Sequence, residues 1–118
     1  MSIHERKARE ALKAAELLFE EGYLSDCASR LYYVYFHAAH DALASMSVTP
    51  KTHRGLRRAF AEHLVLPGTV PQTHMQWFAE AEQLRTLADY DPESAVNEVH
   101  LRELLDHAVV FLETLLPS

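Results

Sequence analysis

The sequence predicts an all-α fold, an up-and-down bundle of four to five helices joined by short connections. Apolar residues recur every three to four positions through most of the chain, and no segment alternates with period two for long. The interruptions are short and carry Gly or Pro: Gly22, Thr49-Pro50, Val65 to Pro71 and Ala88 to Pro92. No repeat or low-complexity tract suggests another architecture.

The first helix opens on Ser2, with Glu5 at the capping-box position. Ile3, Ala8, Leu12, Ala15, Leu18 and Phe19 give it an amphipathic face, and Gly22 reads as the residue that closes it. Ser25 is placed to cap a second helix from about Asp26 to Ser47, with Asp26 suiting its positive end. This helix is the longest and most apolar, so it is expected at the centre. Ala28, Ala38, Ala39, Ala42 and Ala44 let neighbours approach it closely. A third helix is expected from Thr52 or His53 to Leu64, after Pro50. A fourth runs from Gln72 to Leu87, with Trp77, Ala81, Leu84 and Ala88 at helical spacing, and Ala88 to Pro92 reads as a turn. A fifth is expected from Ser94 to Leu116, with Leu101, Leu104, Leu105, Ala108, Phe111, Leu112 and Leu115 inward.

A length of 118 residues fits one domain, residues 1–118. The single cysteine, Cys27, excludes an internal disulfide framework and a cysteine zinc pair, which fits a reducing cytoplasm. No apolar run approaches the ~18 residues of a membrane span, and residues 1–10 read as the start of a helix rather than a leader. The net charge of −6 argues against non-specific nucleic-acid binding by the whole surface. The charge is uneven, however. Residues 26–63 carry five basic residues against three acids, and residues 64–118 carry two arginines against nine acids.

The most distinctive stretch is Ser29 to Asp41, which holds three of the five tyrosines, one arginine and two histidines. On a helix Arg30 and His37 stand two turns apart on one stripe, shared with Tyr33, Val34 and Asp41. Arginine offers a planar fork that matches phosphate oxygens, and histidine moves protons near neutral pH. Together they could hold a phosphodiester and activate an adjacent 2′-hydroxyl without a metal. The same spacing also suits a core histidine and an arginine paired with an acid on a neighbouring helix. Asp41, four residues after His37, could orient the imidazole or form a plain surface ion pair. Tyr33 shares the stripe and could reach a phosphate or the histidine, whereas the other aromatics read as core. Lys51, His53, Arg54, Arg57 and Arg58 around the start of the third helix could bind phosphate or RNA, or could form a solvated face behind an ordinary cap. The chain has no Glu-x-x-His, Gly-rich phosphate loop or nucleophile elbow, so neither metal nor cofactor is expected.

Ala28-Ser-Arg-Leu-Tyr-Tyr-Val-Tyr-Phe-His-Ala-Ala39, Pro50-Lys-Thr-His-Arg-Gly55, and Arg85 with Ala88-Asp-Tyr-Asp-Pro92 resemble the small stand-alone HEPN-domain proteins of bacteria and archaea. The likeness spans nearly the whole chain. The family's hallmark, an arginine followed after four to six residues by a histidine, is here Arg30-x6-His37. The resemblance implies a helical bundle that dimerises so that two such motifs face each other. It also implies a metal-independent endoribonuclease of toxin–antitoxin type, partnered by a minimal nucleotidyltransferase. Arg30 would then stabilise the scissile phosphate, and His37 would serve as general base or acid. The alternative is a non-catalytic module of the family that binds a nucleotide or a nucleotidyltransferase. Two positions depart from the pattern. Leu31 follows the arginine where active ribonucleases of the family often have a polar residue. Ala39 stands where the best-known toxin subgroup has a tyrosine that is adenylylated, so that mode of control does not carry over.

Overall fold

The structure, a computed structural model, describes residues 1–91 and 96–116. Five α-helices follow one another: α1 (Ile3–Glu20), α2 (Leu24–Ala44), α3 (His53–Phe60), α4 (Gln72–Tyr90) and α5 (Glu98–Leu115). The all-α bundle is as expected, and no strand occurs among the described residues.

Ser2 caps α1, its hydroxyl accepting from the Glu5 amide at 3.0 Å. At the other end the Gly22 amide bonds to the Phe19 carbonyl and the Tyr23 amide to the Leu18 carbonyl, with Gly22 at φ 84°. This pair of bonds ends a helix on a left-handed residue, which costs glycine nothing sterically. The chain reverses within three residues, so α1 and α2 form an antiparallel hairpin. Ser25 is not the cap of α2; the helix starts a residue earlier, at Leu24, behind Tyr23. The Schellman bonds at Gly22 leave no room for a further loop residue, so the second helix begins at once.

The far end of α2 repeats the motif without a glycine. Ser47 adopts φ 61°, its amide bonds to the Ala44 carbonyl, and the Val48 amide bonds to the Leu43 carbonyl. The third segment also departs from a single helix. After Phe60 the chain widens into a π-helical turn over Ala61–Val65. Helix α4 continues through Ala88 and Tyr90, where a turn was expected, and the first non-helical backbone is at Asp91. A proline chiefly keeps the residue before it out of the helical region, so the helix can run on past Leu87 to Tyr90 and stop at Asp91. The expected Pro92 stop and Ser94 start lie outside the described residues. Helix α5 begins at Glu98, capped by Asn97, whose side chain accepts from the His100 amide at 2.9 Å.

Helix α2 is central, packed most extensively on α1 and then on α4 and α5. Tyr35, Phe60, Phe78 and Phe111 are fully buried and meet one another as the middle of the core. The Tyr35 hydroxyl donates to the Leu104 carbonyl at 2.8 Å, so its one polar group is satisfied inside. The α1 side of the hairpin is built from small residues, with Ala8, Ala11 and Ala15 buried. Ile3, expected inward, is exposed at the open end of that helix.

Candidate active site

Arg30, Tyr33 and His37 occupy positions i, i+3 and i+7 of α2, on the edge that borders α1. There they line an open groove of about 590 Å³ whose other wall is Lys7, Glu10, Ala11 and Ala14. The groove exists because α1 places alanine at positions 11 and 14, where a longer side chain would fill it. Val34, read on the same stripe, is fully buried in the core instead, as is Ala38. Both lie under the helices packed on α2, so neither is available to a partner.

His37 turns its Nδ1 to the Nδ1 of His4 at 3.0 Å. His4 in turn stacks on His40, with ring centroids 4.9 Å apart. Phe36 packs edge-on to both His37 and His40 and reaches His53 at 4.9 Å. Burial pushes the His37 imidazole down to about 4, helped by His4, Lys7, His40 and Arg30. Burial, with His4 and His53, lowers His40 in the same direction. His37 is therefore a neutral ring at neutral pH that lines the groove, its Nδ1 engaged by His4 and no second hydrogen-bond partner of the ring occurring among the described residues.

Asp41 does not orient His37. Its carboxylate accepts from the Ser2 hydroxyl, which pins the first turn of α1 to α2. Tyr33 is held from behind by the Arg85 guanidinium, 5.4 Å from its ring and 5.1 Å from the Tyr32 ring. Arg85 also pairs with Asp89.

The basic segment divides. Arg57 pairs with Glu82 at 3.1 Å and Arg58 with Glu62 at 3.2 Å. Lys51 and Arg54 are exposed, and no ion pair occupies them among the described residues. His53 is hydrogen-bonded through Nδ1 to the Tyr32 hydroxyl. The Gly55 amide, one of those that could have met an anion, is taken by the Thr52 hydroxyl at 2.8 Å. A Cβ at Gly55 would lie 2.9 Å from that oxygen, so the cap requires glycine. Cys27 is buried and its thiol is pushed up to about 11, which leaves no thiolate for chemistry at neutral pH. Among the described residues no cluster of three or more His, Cys, Asp or Glu side chains is arranged to hold a metal ion, and no helix is long and apolar enough to cross a membrane.

The HEPN domain model matches residues 1–117 of this chain. The chain belongs to the HEPN domain family. A UPF0332 protein of Gloeobacter violaceus is 33% identical over 84 residues, which cover 71% of this chain and 67% of that relative. A protein of Methanocaldococcus jannaschii named "Putative toxin" is 32% identical over 91 residues, 77% of this chain and 68% of its own length. A second protein of that name from the same organism is 27% identical over 106 residues, covering 90% of this chain and 72% of the relative. In this HEPN chain Leu31 is fully buried. The position after the motif arginine thus belongs to the core, not to the groove. His4, Lys7 and Glu10 were not legible as site residues. Folding the hairpin about Gly22 with equal rise along both helices sets residue 37 opposite the first turns of α1, and that register was the signal available.

Proposed function

We propose that this HEPN protein is a toxin-like, metal-independent endoribonuclease that works as a cytoplasmic homodimer. The observation that carries the proposal is the convergence of Arg30, Tyr33 and His37 on one open groove beside Lys7. The names of the M. jannaschii relatives support the toxin setting. Arg30 offers its planar fork to the scissile phosphate, and Lys7 adds a point charge from the opposite wall. The neutral His37 takes the proton of the 2′-hydroxyl. The 2′ oxygen bonds to phosphorus, the bond from phosphorus to the 5′ oxygen breaks, and that oxygen takes a proton from water, while His37 afterwards returns the one it gained to the solvent. The products are a 2′,3′-cyclic phosphate and a 5′-hydroxyl. The phosphate charge also offsets the cations that hold the His37 proton affinity down, so substrate binding makes the ring a stronger base.

The second copy has a physical role. An open groove lets water screen Arg30, and a facing copy shields it while doubling the arginines and histidines. Exposed Leu17 and Tyr23 on the same hairpin are available to such an interface. A minimal nucleotidyltransferase is the antitoxin partner this reading expects. Glu10 in the groove wall and the net charge of −6 favour the other reading, a non-catalytic module that binds a nucleotide or a nucleotidyltransferase. Controlled expression of wild type beside His37→Ala separates them. The nuclease reading expects wild type to arrest growth and degrade RNA while the variant does neither, and equal behaviour overturns it. Sedimentation equilibrium at micromolar concentration tests the dimer, which a monomer of 13.4 kDa rejects.

A further inference from the structure

His4 lies outside the Arg30–His37 motif, yet it is the one hydrogen-bonding partner of the His37 ring among the described residues. Two Nδ1 atoms 3.0 Å apart cannot both carry a hydrogen, because two N–H groups would then face each other. One ring must donate and the other accept, so the bond fixes the tautomer of both. The direction is set by what surrounds His37. Lys7 and Glu10 of α1 and Arg30 of α2 share its groove, and His4 and His40 stand beside it. Asp41, the nearest acid in sequence on α2, is engaged by Ser2, and His53 reaches His40 rather than His37. Glu10 lines the same groove, but the charges that act on the His37 ring are those of Lys7 and Arg30, so the net field is positive and favours a lone pair over an N–H on its second nitrogen.

Resting on the ribonuclease reading of the groove, we propose that His4 is a positioning residue which accepts the Nδ1–H of His37 and so leaves the Nε2 lone pair of His37 free as the base. His4 itself is held in place. It sits in the first turn of α1, two residues after the Ser2 that binds Asp41, and its ring lies flat on His40 with 14° between planes. When Nε2 takes the 2′-hydroxyl proton, the imidazolium keeps its Nδ1–H pointed at the His4 acceptor, and a charge-assisted bond replaces a neutral one. A carboxylate in that place is worth ~10⁴ in kcat in a serine protease, and a neutral acceptor should give less, about 10 to 10².

The test is long-range ¹H–¹⁵N NMR of the histidine rings at pH 7 in the full chain, beside RNA cleavage. Wild type should show a protonated Nδ1 and a bare Nε2 on His37. His4→Phe keeps a ring to stack on His40 but offers no acceptor, and it should move the proton to Nε2 and lower kcat by about 10-fold or more. His4→Asn, with an oxygen near the lost Nδ1, should restore the wild-type tautomer and most of the rate. A wild-type His37 protonated on Nε2, or a tautomer unchanged in His4→Phe, overturns the assignment whatever the nuclease assay gives. The tautomer change without any RNA cleavage by wild type supports the role of His4 and counts against the ribonuclease reading instead.

Discussion

The depressed proton affinity of His37 makes the stability of this fold fall in acid by an amount that one substitution should remove. Unfolded, the ring titrates near its ordinary 6.5; folded, it titrates near 4. Above pH 6.5 both states leave it neutral and it contributes nothing to pH dependence. Between about 6.5 and 4 the unfolded chain binds the proton and the folded chain does not, so stability falls as pH falls. At ~1.36 kcal/mol per pKa unit the bound is ~3.4 kcal/mol. The groove is open to water, and solvent screening reduces the expected effect to roughly 1–2 kcal/mol. His40 and His74 are lowered in the same direction, so wild type loses more than this in total. The difference between wild type and His37→Asn isolates the one ring, because asparagine keeps a polar atom toward His4 without titrating. Urea unfolding of both proteins at pH 7.5 and pH 4.5 measures it. The variant should lose about 1–2 kcal/mol less than wild type across that interval. Equal losses would refute the claim that His4, Lys7, His40 and Arg30 hold a desolvated, neutral ring in the groove.

Three further outcomes follow from the geometry. Ser47→Gly should stabilise the fold by about 0.5–1 kcal/mol, because φ 61° costs a side chain and not glycine; thermal unfolding checks it, and a lower midpoint contradicts it. Lys51→Ala with Arg54→Ala should reduce the salt slope of single-stranded RNA binding by up to ~0.7 per charge. Arg58→Ala should change it less, since Glu62 already engages that charge. Ala14→Leu should fill the groove and lower RNA affinity about 10-fold or more by excluding the backbone from Arg30, with the helical circular dichroism unchanged; unaltered binding would place the RNA elsewhere.

How much was legible follows from which interactions are local. The register of Arg30, Tyr33 and His37 on one helical edge needed only the 3.6-residue period, and the groove brings those three together. The Gly22 turn and the Ser2 cap were likewise written in neighbouring residues. Asp41 failed as a partner for His37 because a residue in the first turn of another helix reached it first, and spacing along α2 carries no record of that. His4, Lys7 and Glu10 read as the solvated side of an amphipathic helix until the hairpin closes over them. The cap reading at Ser25 failed because geometry left no loop, and α2 stops at Ala44 rather than Ser47 because Ser47 takes a left-handed position that sequence assigns to glycine. The π-helical turn at Ala61–Val65 has no composition that sets it apart from the helix before it.

The central claim is that the Arg30–His37 groove cleaves RNA without a metal. Its most direct test is single-turnover cleavage of a single-stranded RNA in EDTA by wild type, Arg30→Ala and His37→Ala, with the product ends identified by mass spectrometry. Wild type should yield 2′,3′-cyclic phosphate ends, and each variant should be slower by about 10²-fold or more. Cleavage by His37→Ala at the wild-type rate, or activity that EDTA abolishes, would contradict the account.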